Sequence, residues 1–143
     1  MDRGFRIHEH TADIVIECWA PTLSGAFEMA AIATFDTILD VSSVMPRVCT
    51  HVIVRGIDLY ELLVEWIGRL IALIDIESQF FSRFEVVEIA EDHEGWYLKA
   101  NVWGESIDHE RHVTKTEVKA MTYANLKIEM KSDRTTIWFT LDL

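Results

Sequence analysis

The chain has 143 residues, with 13 basic and 24 acidic side chains and a formal net charge of -11. This length fits one domain, 1–143, because domains cluster at about 100–150 residues. Half of the residues are hydrophobic, which excludes intrinsic disorder. The acidic excess argues against direct nucleic-acid binding, which needs a basic surface, and favours hard cations or a basic partner.

Cysteine content and the N-terminal residues predict a cytoplasmic protein. Cys18 and Cys49 are too few for a disulfide framework and lack CxxC spacing. Residues 1–5 contain no apolar segment typical of a signal peptide. Charged residues interrupt the most apolar stretch, 59–76, so this stretch predicts an amphipathic helix and no membrane span.

Local patterns in the first half of the chain predict three strands and two long helices. Residues 5–10, 13–20 and 47–55 are β-rich, with aromatic and β-branched side chains. One helix begins after Thr22 and ends near Asp40. The second helix follows Asp58 in a sequence that resembles a capping box, and it carries a wide apolar stripe.

The second half predicts two more β pairs with a short helix between them. Residues 84–91 and 96–103 form a hairpin, and residues 126–131 alternate before a last strand at 135–143. Residues 116–125 predict the short helix, after a polar loop. The expected fold is α+β: a single-domain sandwich of a mostly antiparallel or mixed sheet, with two long helices and one short helix on one face.

Three clusters of ionisable residues are candidates for chemistry, since the sequence has no P-loop, GxGxxG, GxSxG or HExxH motif. His8 and His10 would share one face of a strand and have a spacing that suits zinc or copper, or they mark a solvated strand end. Residues 108–112 supply either ligands and a general base or an exposed loop. Asp142 lies beside a terminal carboxylate, an arrangement favoured by a cation or a basic group between the two anionic groups, unless this end is frayed.

Several motifs together are similar to those of the archease family, and the similarity covers essentially the whole chain. They are His10-Thr11-Ala12-Asp13-Ile14, Thr22-Leu23 with Ala26-Phe27, Leu62-Leu63-Val64-Glu65-Trp66, Gly104-Glu105, Arg111-His112, Thr116-Glu117-Val118-Lys119-Ala120-Met121-Thr122-Tyr123 and the terminal Asp142. One position departs from the family pattern. Ala124 stands where the family usually has a histidine after the TY pair.

The resemblance implies an accessory activator and no enzyme activity of its own. Archeases assist the GTP-dependent tRNA-splicing RNA ligase by promoting guanylylation of its active-site histidine and by allowing multiple turnover. The resemblance also implies a divalent-metal site formed by Asp13, Asp142 and Leu143, the last through a main-chain or terminal oxygen. Oxygen-only ligands suit calcium, or magnesium or manganese, better than zinc. Lys119 corresponds to a lysine that the family uses functionally, and it would contact a nucleotide phosphate or the ligase.

Two other functions remain open from the sequence. One is a small zinc-dependent hydrolase that uses the His8/His10 and His109/His112 clusters. The other is a general chaperone or adaptor whose site binds only protein. Metal content separates the first from an activator, and the identity of the dominant partner in a pull-down separates the second.

Overall fold

The computed structural model describes residues 2–9 and 12–143. Its strands are β1 (Gly4–Glu9), β2 (Asp13–Ala20), β3 (Val48–Gly56), β4 (Gln79–Asp92), β5 (Gly95–Ser106), β6 (Ala120–Met130) and β7 (Thr135–Asp142). Its helices are α1 (Leu23–Ile38) and α2 (Leu59–Glu77), with a 3-10 turn at Val41–Ser43. Among the described residues, no helix combines the length and the apolar character that crossing a membrane requires.

The strands form two antiparallel sheets. The four-stranded sheet has the order β1-β2-β7-β6, and the three-stranded sheet has the order β3-β5-β4. Every named strand pair is antiparallel, so the α+β class is confirmed without the mixed pairing that we had left open. Strand β2, near the start of the chain, and strand β7, near its end, are neighbours at the centre of the four-stranded sheet.

Both helices begin where the sequence predicts. Thr22 caps α1 by accepting a hydrogen bond from the Gly25 N–H over 3.0 Å. Asp58 caps α2 by accepting one from the Glu61 N–H over 2.8 Å. The Glu61 carboxylate reaches back to the Ile57 N–H over 3.0 Å, which gives a variant of the capping box. Caps of this kind satisfy N–H groups that have no partner within the helix.

The helices pack against both sheets, and not on one face of a single sheet as predicted. Helix α1 contacts β2 of one sheet and β4 of the other, while α2 contacts β3 and β6. Most of α1 is buried, and its four buried alanines, Ala26, Ala30, Ala31 and Ala33, allow neighbouring elements to approach closely. Trp66 of α2 donates its indole N–H to the Phe27 carbonyl over 3.0 Å. This buried bond fixes the two helices relative to each other.

The predicted short helix at 116–125 is wrong. Residues from Ala120 onward form β6, which pairs with β7. Helical propensity in this stretch is overridden because β7 is a central strand, and its main-chain groups need partners on both edges. Val118 and Met121 are buried, so apolar burial also holds the stretch against the core.

Gly104 in β5 permits a very close contact between strands. A Cβ atom added at this position would lie 1.8 Å from the carbonyl oxygen of Phe80 in β4. Only glycine leaves room for that carbonyl. The contact lies beside Glu105, whose surroundings are described below.

Candidate functional site

The first residue of β2 and the last residue of β7 carry carboxylates that lie opposite each other. Asp13 pairs with Asp142 in the register of the four-stranded sheet. The Leu143 N–H donates to the Ala12 carbonyl over 3.3 Å, so the Asp pair occupies the neighbouring position without ladder hydrogen bonds. In such positions the Cα atoms are about 4.5 Å apart and the side chains are at their closest. We name Asp13 and Asp142 the acid pair.

The acid pair has unbalanced negative charge within the described part of the chain. Asp13 is half-buried and Asp142 is exposed. Among the described residues, neither carboxylate forms an ion pair. Facing carboxylates repel, and a cation between them relieves the repulsion. Residues 2–9 and 12–143 bring no three His, Cys, Asp or Glu side chains together to hold a metal, so further ligands would be main-chain, water or partner oxygens.

Lys119 lies next to the acid pair through its main chain. Its N–H donates to the Asp142 carbonyl over 2.9 Å, and the following residue, Ala120, pairs with Asp142. Lys119 is exposed and precedes a strand, so it is not the helix lysine that we predicted. Its ammonium group forms no ion pair with any residue in the described ranges. The structure thus brings together Asp13, Asp142 and the main chain of Lys119.

A bulge in β6 lies beside this region, and sequence reasoning did not predict it. The register with β7 breaks between Thr122 and Lys127, and Asn125 has a left-handed φ of 57°. The Thr140 hydroxyl donates to the Ala124 carbonyl over 2.9 Å. Ala124, the position at which the family usually has a histidine, therefore lies on the bulge and is attached to the strand that carries Asp142. The signal in the sequence is Asn125 itself, because asparagine adopts left-handed φ values more readily than most other residues.

Glu105 is the centre of a second polar group, which we name the Glu105 cluster. Its side chain is buried, with 6% exposure. Its Oε1 accepts from Arg111 over 2.7 Å and from Arg47 over 3.2 Å. Its Oε2 accepts from the Met45 N–H over 2.8 Å and pairs with His112 Nε2 over 2.9 Å. Four donors therefore surround one buried carboxylate.

The hydrogen bonds of the Glu105 cluster define its charge state. Arg111, then the Met45 N–H and His112, hold the pKa of Glu105 well below its usual range despite burial. His112 Nδ1 accepts from the Asp108 N–H over 3.0 Å, so the ring proton is assigned to Nε2 and donated to Glu105. His112 also packs edge-on against the Phe80 ring. Residues 108–112 are therefore not simply an exposed loop.

Among residues 2–9 and 12–143, His8, His109 and His112 do not form the zinc site of the hydrolase alternative. Both ring nitrogens of His112 are already hydrogen-bonded. His8 is exposed on β1, 3.8 Å from a Glu17 oxygen, and His109 is exposed in the loop after β5. His10 and Thr11 lie outside the described residues. Zinc binding through Nδ1 of His112 would displace the Asp108 N–H, and binding through Nε2 would displace Glu105.

Comparisons with known proteins agree over nearly the full length. The profile of the Archease protein family matches residues 5–143. Protein archease of Sulfurisphaera tokodaii is 40% identical over 139 residues, which are 97% of this chain and 98% of that protein. Protein archease of Pyrococcus abyssi is 44% identical over 126 residues, 88% of each chain. The solution structure of Methanobacterium thermoautotrophicum protein 1598 is 30% identical, has a TM-score of 0.83 and covers 98% of this chain and 99% of its own. The chain belongs to the archease family.

Proposed function

We propose that this protein is an accessory activator of the GTP-dependent tRNA-splicing RNA ligase. In this role it promotes guanylylation of the ligase's active-site histidine and allows each ligase molecule to turn over repeatedly. One observation carries the proposal beyond family membership. Asp13 and Asp142 face each other across β2 and β7, and the Lys119 N–H is bonded to Asp142.

The acid pair is proposed to hold a divalent cation, with calcium as the first candidate and magnesium or manganese as alternatives. The donors fit a hard ion because both are carboxylates and neither has a basic partner among the described residues. Leu143 lies on the strand end beside the pair and would add a main-chain or terminal oxygen. Calcium takes about 6–8 oxygen ligands, so water or partner groups would complete the shell. Such an ion would attract phosphate oxygens of a nucleotide.

Lys119 is proposed to contact the ligase or the nucleotide that the ligase binds. Lys119 is exposed, and its main chain is bonded to the strand end that carries Asp142, so this part of the surface offers both charge signs. This combination suits a nucleotide phosphate held next to a metal, or an acidic group of the ligase. Contributions of this kind are positioning and electrostatic stabilisation supplied to the ligase in trans. The proposed setting is cytoplasmic, without direct binding of RNA by this chain.

Reconstitution of ligation tests the proposal. Ligase at catalytic concentration, GTP and a cleaved RNA with a 2′,3′-cyclic phosphate and a 5′-hydroxyl are combined with and without this protein. Ligase–guanylate and ligated RNA are followed over time. We expect wild type to increase turnovers, Asp142→Ala to abolish the increase, and Asp133→Asn, in the turn at the other end of β7, to retain it.

The same experiment separates the remaining possibilities. Equal turnover with and without wild type removes the activator function. Full stimulation by Asp142→Ala removes the acid pair from the mechanism and favours a general adaptor whose effect is independent of this site.

A further inference from the structure

The segment between β5 and β6, residues 107–119, connects the two sheets and ends at the acid pair. It leaves the three-stranded sheet beside Glu105 and enters the four-stranded sheet beside Asp142. It contains no regular helix or strand, yet it is held at three places along its length. The first is the Glu105 cluster, the second is the end of α1, and the third is β7.

At the second place the segment completes the C-terminus of α1. The Lys115 N–H donates to the Ile38 carbonyl over 2.7 Å, and Thr114 forms an isolated β-bridge with Leu39. The Lys115 ammonium donates to the Asp36 carbonyl over 3.0 Å. Helix ends leave carbonyls without partners, and cations near them are favourable. The last turn of α1 has no basic residue of its own, so the segment supplies one.

At the third place the segment passes the site directly. Val118 is buried, and the next residue, Lys119, donates its N–H to Asp142. The position of Lys119 relative to the acid pair is therefore set by the path of the whole segment. Because residues 107–119 form no regular secondary structure, their contacts at these three places determine where the segment runs.

We infer that Glu105 and His112 are positioning residues that hold Lys119 in register with the acid pair. The inference rests on the proposed function, since Lys119 matters for activity only if the site acts on the ligase. Glu105 lies in the sheet, whereas His112 and Arg111 lie in the segment. Three side-chain bonds, from His112, Arg111 and Arg47, converge on this carboxylate.

The hydrogen-bonded pair of Glu105 and His112 fixes the position of the segment more strictly than apolar packing would. His112 uses one ring nitrogen for the Asp108 N–H and the other for Glu105, so rotation or withdrawal of the ring breaks both bonds. A carboxylate with donors on both oxygens also discriminates against an amide. In Glu105→Gln the –NH2 group meets a donor whichever way it is turned, because Arg47 and Arg111 face one oxygen and His112 faces the other.

Hydrogen exchange and ligation together test the inference. The variants are Glu105→Gln and the milder His112→Gln, with Glu110→Gln as the control for the same charge change in the same turn. We expect the Lys119 N–H to lose its protection in both test variants and to exchange at least about tenfold faster, while buried amides of α1 stay protected even though the loss of global stability speeds their exchange as well. Glu110→Gln should leave both unchanged.

Ligation shows whether the altered path reaches the function. We expect Glu105→Gln to lose as much ligase activation as Lys119→Ala, and the double variant to lose no more than either single variant. Additive losses, or unchanged exchange at Lys119, overturn the inference. Loss of protection at buried α1 amides together with Lys119 also overturns it, because that result means that the whole fold has opened and not the segment alone. If wild type fails to activate the ligase, the proposed function fails, and the exchange data still decide whether the cluster holds Lys119.

Discussion

Replacing Asp142 with asparagine tests whether the acid pair binds a metal ion or consists only of two acidic residues on the surface. The substitution keeps the side-chain shape and one oxygen but removes one of two facing charges. At a separation of about 5 Å in a mostly aqueous environment, the repulsion between two carboxylates is about 1 kcal/mol. Metal-free Asp142→Asn should therefore be more stable than metal-free wild type by roughly this amount. For a chain of this size, 1 kcal/mol corresponds to about 4 °C in Tm.

Calcium should reverse this order of stability. Binding to the folded state adds RT ln(1 + [L]/Kd), about 2.7 kcal/mol at a hundredfold excess over Kd. Wild type should then gain about 10 °C in Tm, whereas Asp142→Asn, with one charged ligand left, should gain little. Thermal unfolding after chelation, and again across a calcium titration, measures both effects.

Low ionic strength makes the measurement sharper, because salt screens repulsion between exposed charges. Asp133→Asn is the matched control, since it removes the same charge from an exposed turn of the same sheet. It should respond to calcium as wild type does. Equal calcium stabilisation of wild type and Asp142→Asn would refute the assignment of the ion to the acid pair. Lower stability of metal-free Asp142→Asn would refute the repulsion argument.

Three further predictions concern other parts of the molecule. Gly104→Ala should lower the free energy of unfolding, measured with denaturant, by more than about 3 kcal/mol, because its Cβ would overlap a carbonyl of β4. Gly68→Ala is the control: the new Cβ meets open space, so the free energy of unfolding should rise by about 0.5–1 kcal/mol. Similar effects of the two substitutions would contradict the overlap argument. Glu105→Gln should cost about 3 kcal/mol at pH 7. The folded-state pKa of Glu105 is lowered from 4.5, so the stability that its ion pairs contribute is present above that value and is lost as the pH falls. A stability difference between wild type and Glu105→Gln that stays constant between pH 7 and pH 3 would contradict this explanation. A thiol reagent at pH 8 should modify exposed Cys49 and spare Cys18, whose pKa is raised to about 12 by burial, until the protein unfolds; rapid modification of both thiols would contradict it.

The sequence by itself determined most local elements of this protein. The caps Thr22 and Asp58 and the apolar periodicity behind them define α1 and α2. The β4–β5 hairpin and the alternating strands near the C-terminus also follow from short-range patterns, although β4 and β5 are longer than predicted. Capping, periodicity and turn chemistry act between residues a few positions apart, so they are readable without a structure.

The tertiary structure decided which elements meet. Residues 116–125 have helical propensity, but the open edge of β7 recruits Ala120 onward into a strand. The same pairing pattern places Asp13 opposite Asp142, although they lie at opposite ends of the sequence. The resemblance had implied that Asp13 and Asp142 meet, but burial of Glu105 with His112 was not predicted, since an acidic and a basic residue in a polar stretch usually indicate an exposed loop. Sheet order and burial depend on contacts between distant segments, and the free energy of those contacts overrides the weaker preferences of each segment alone.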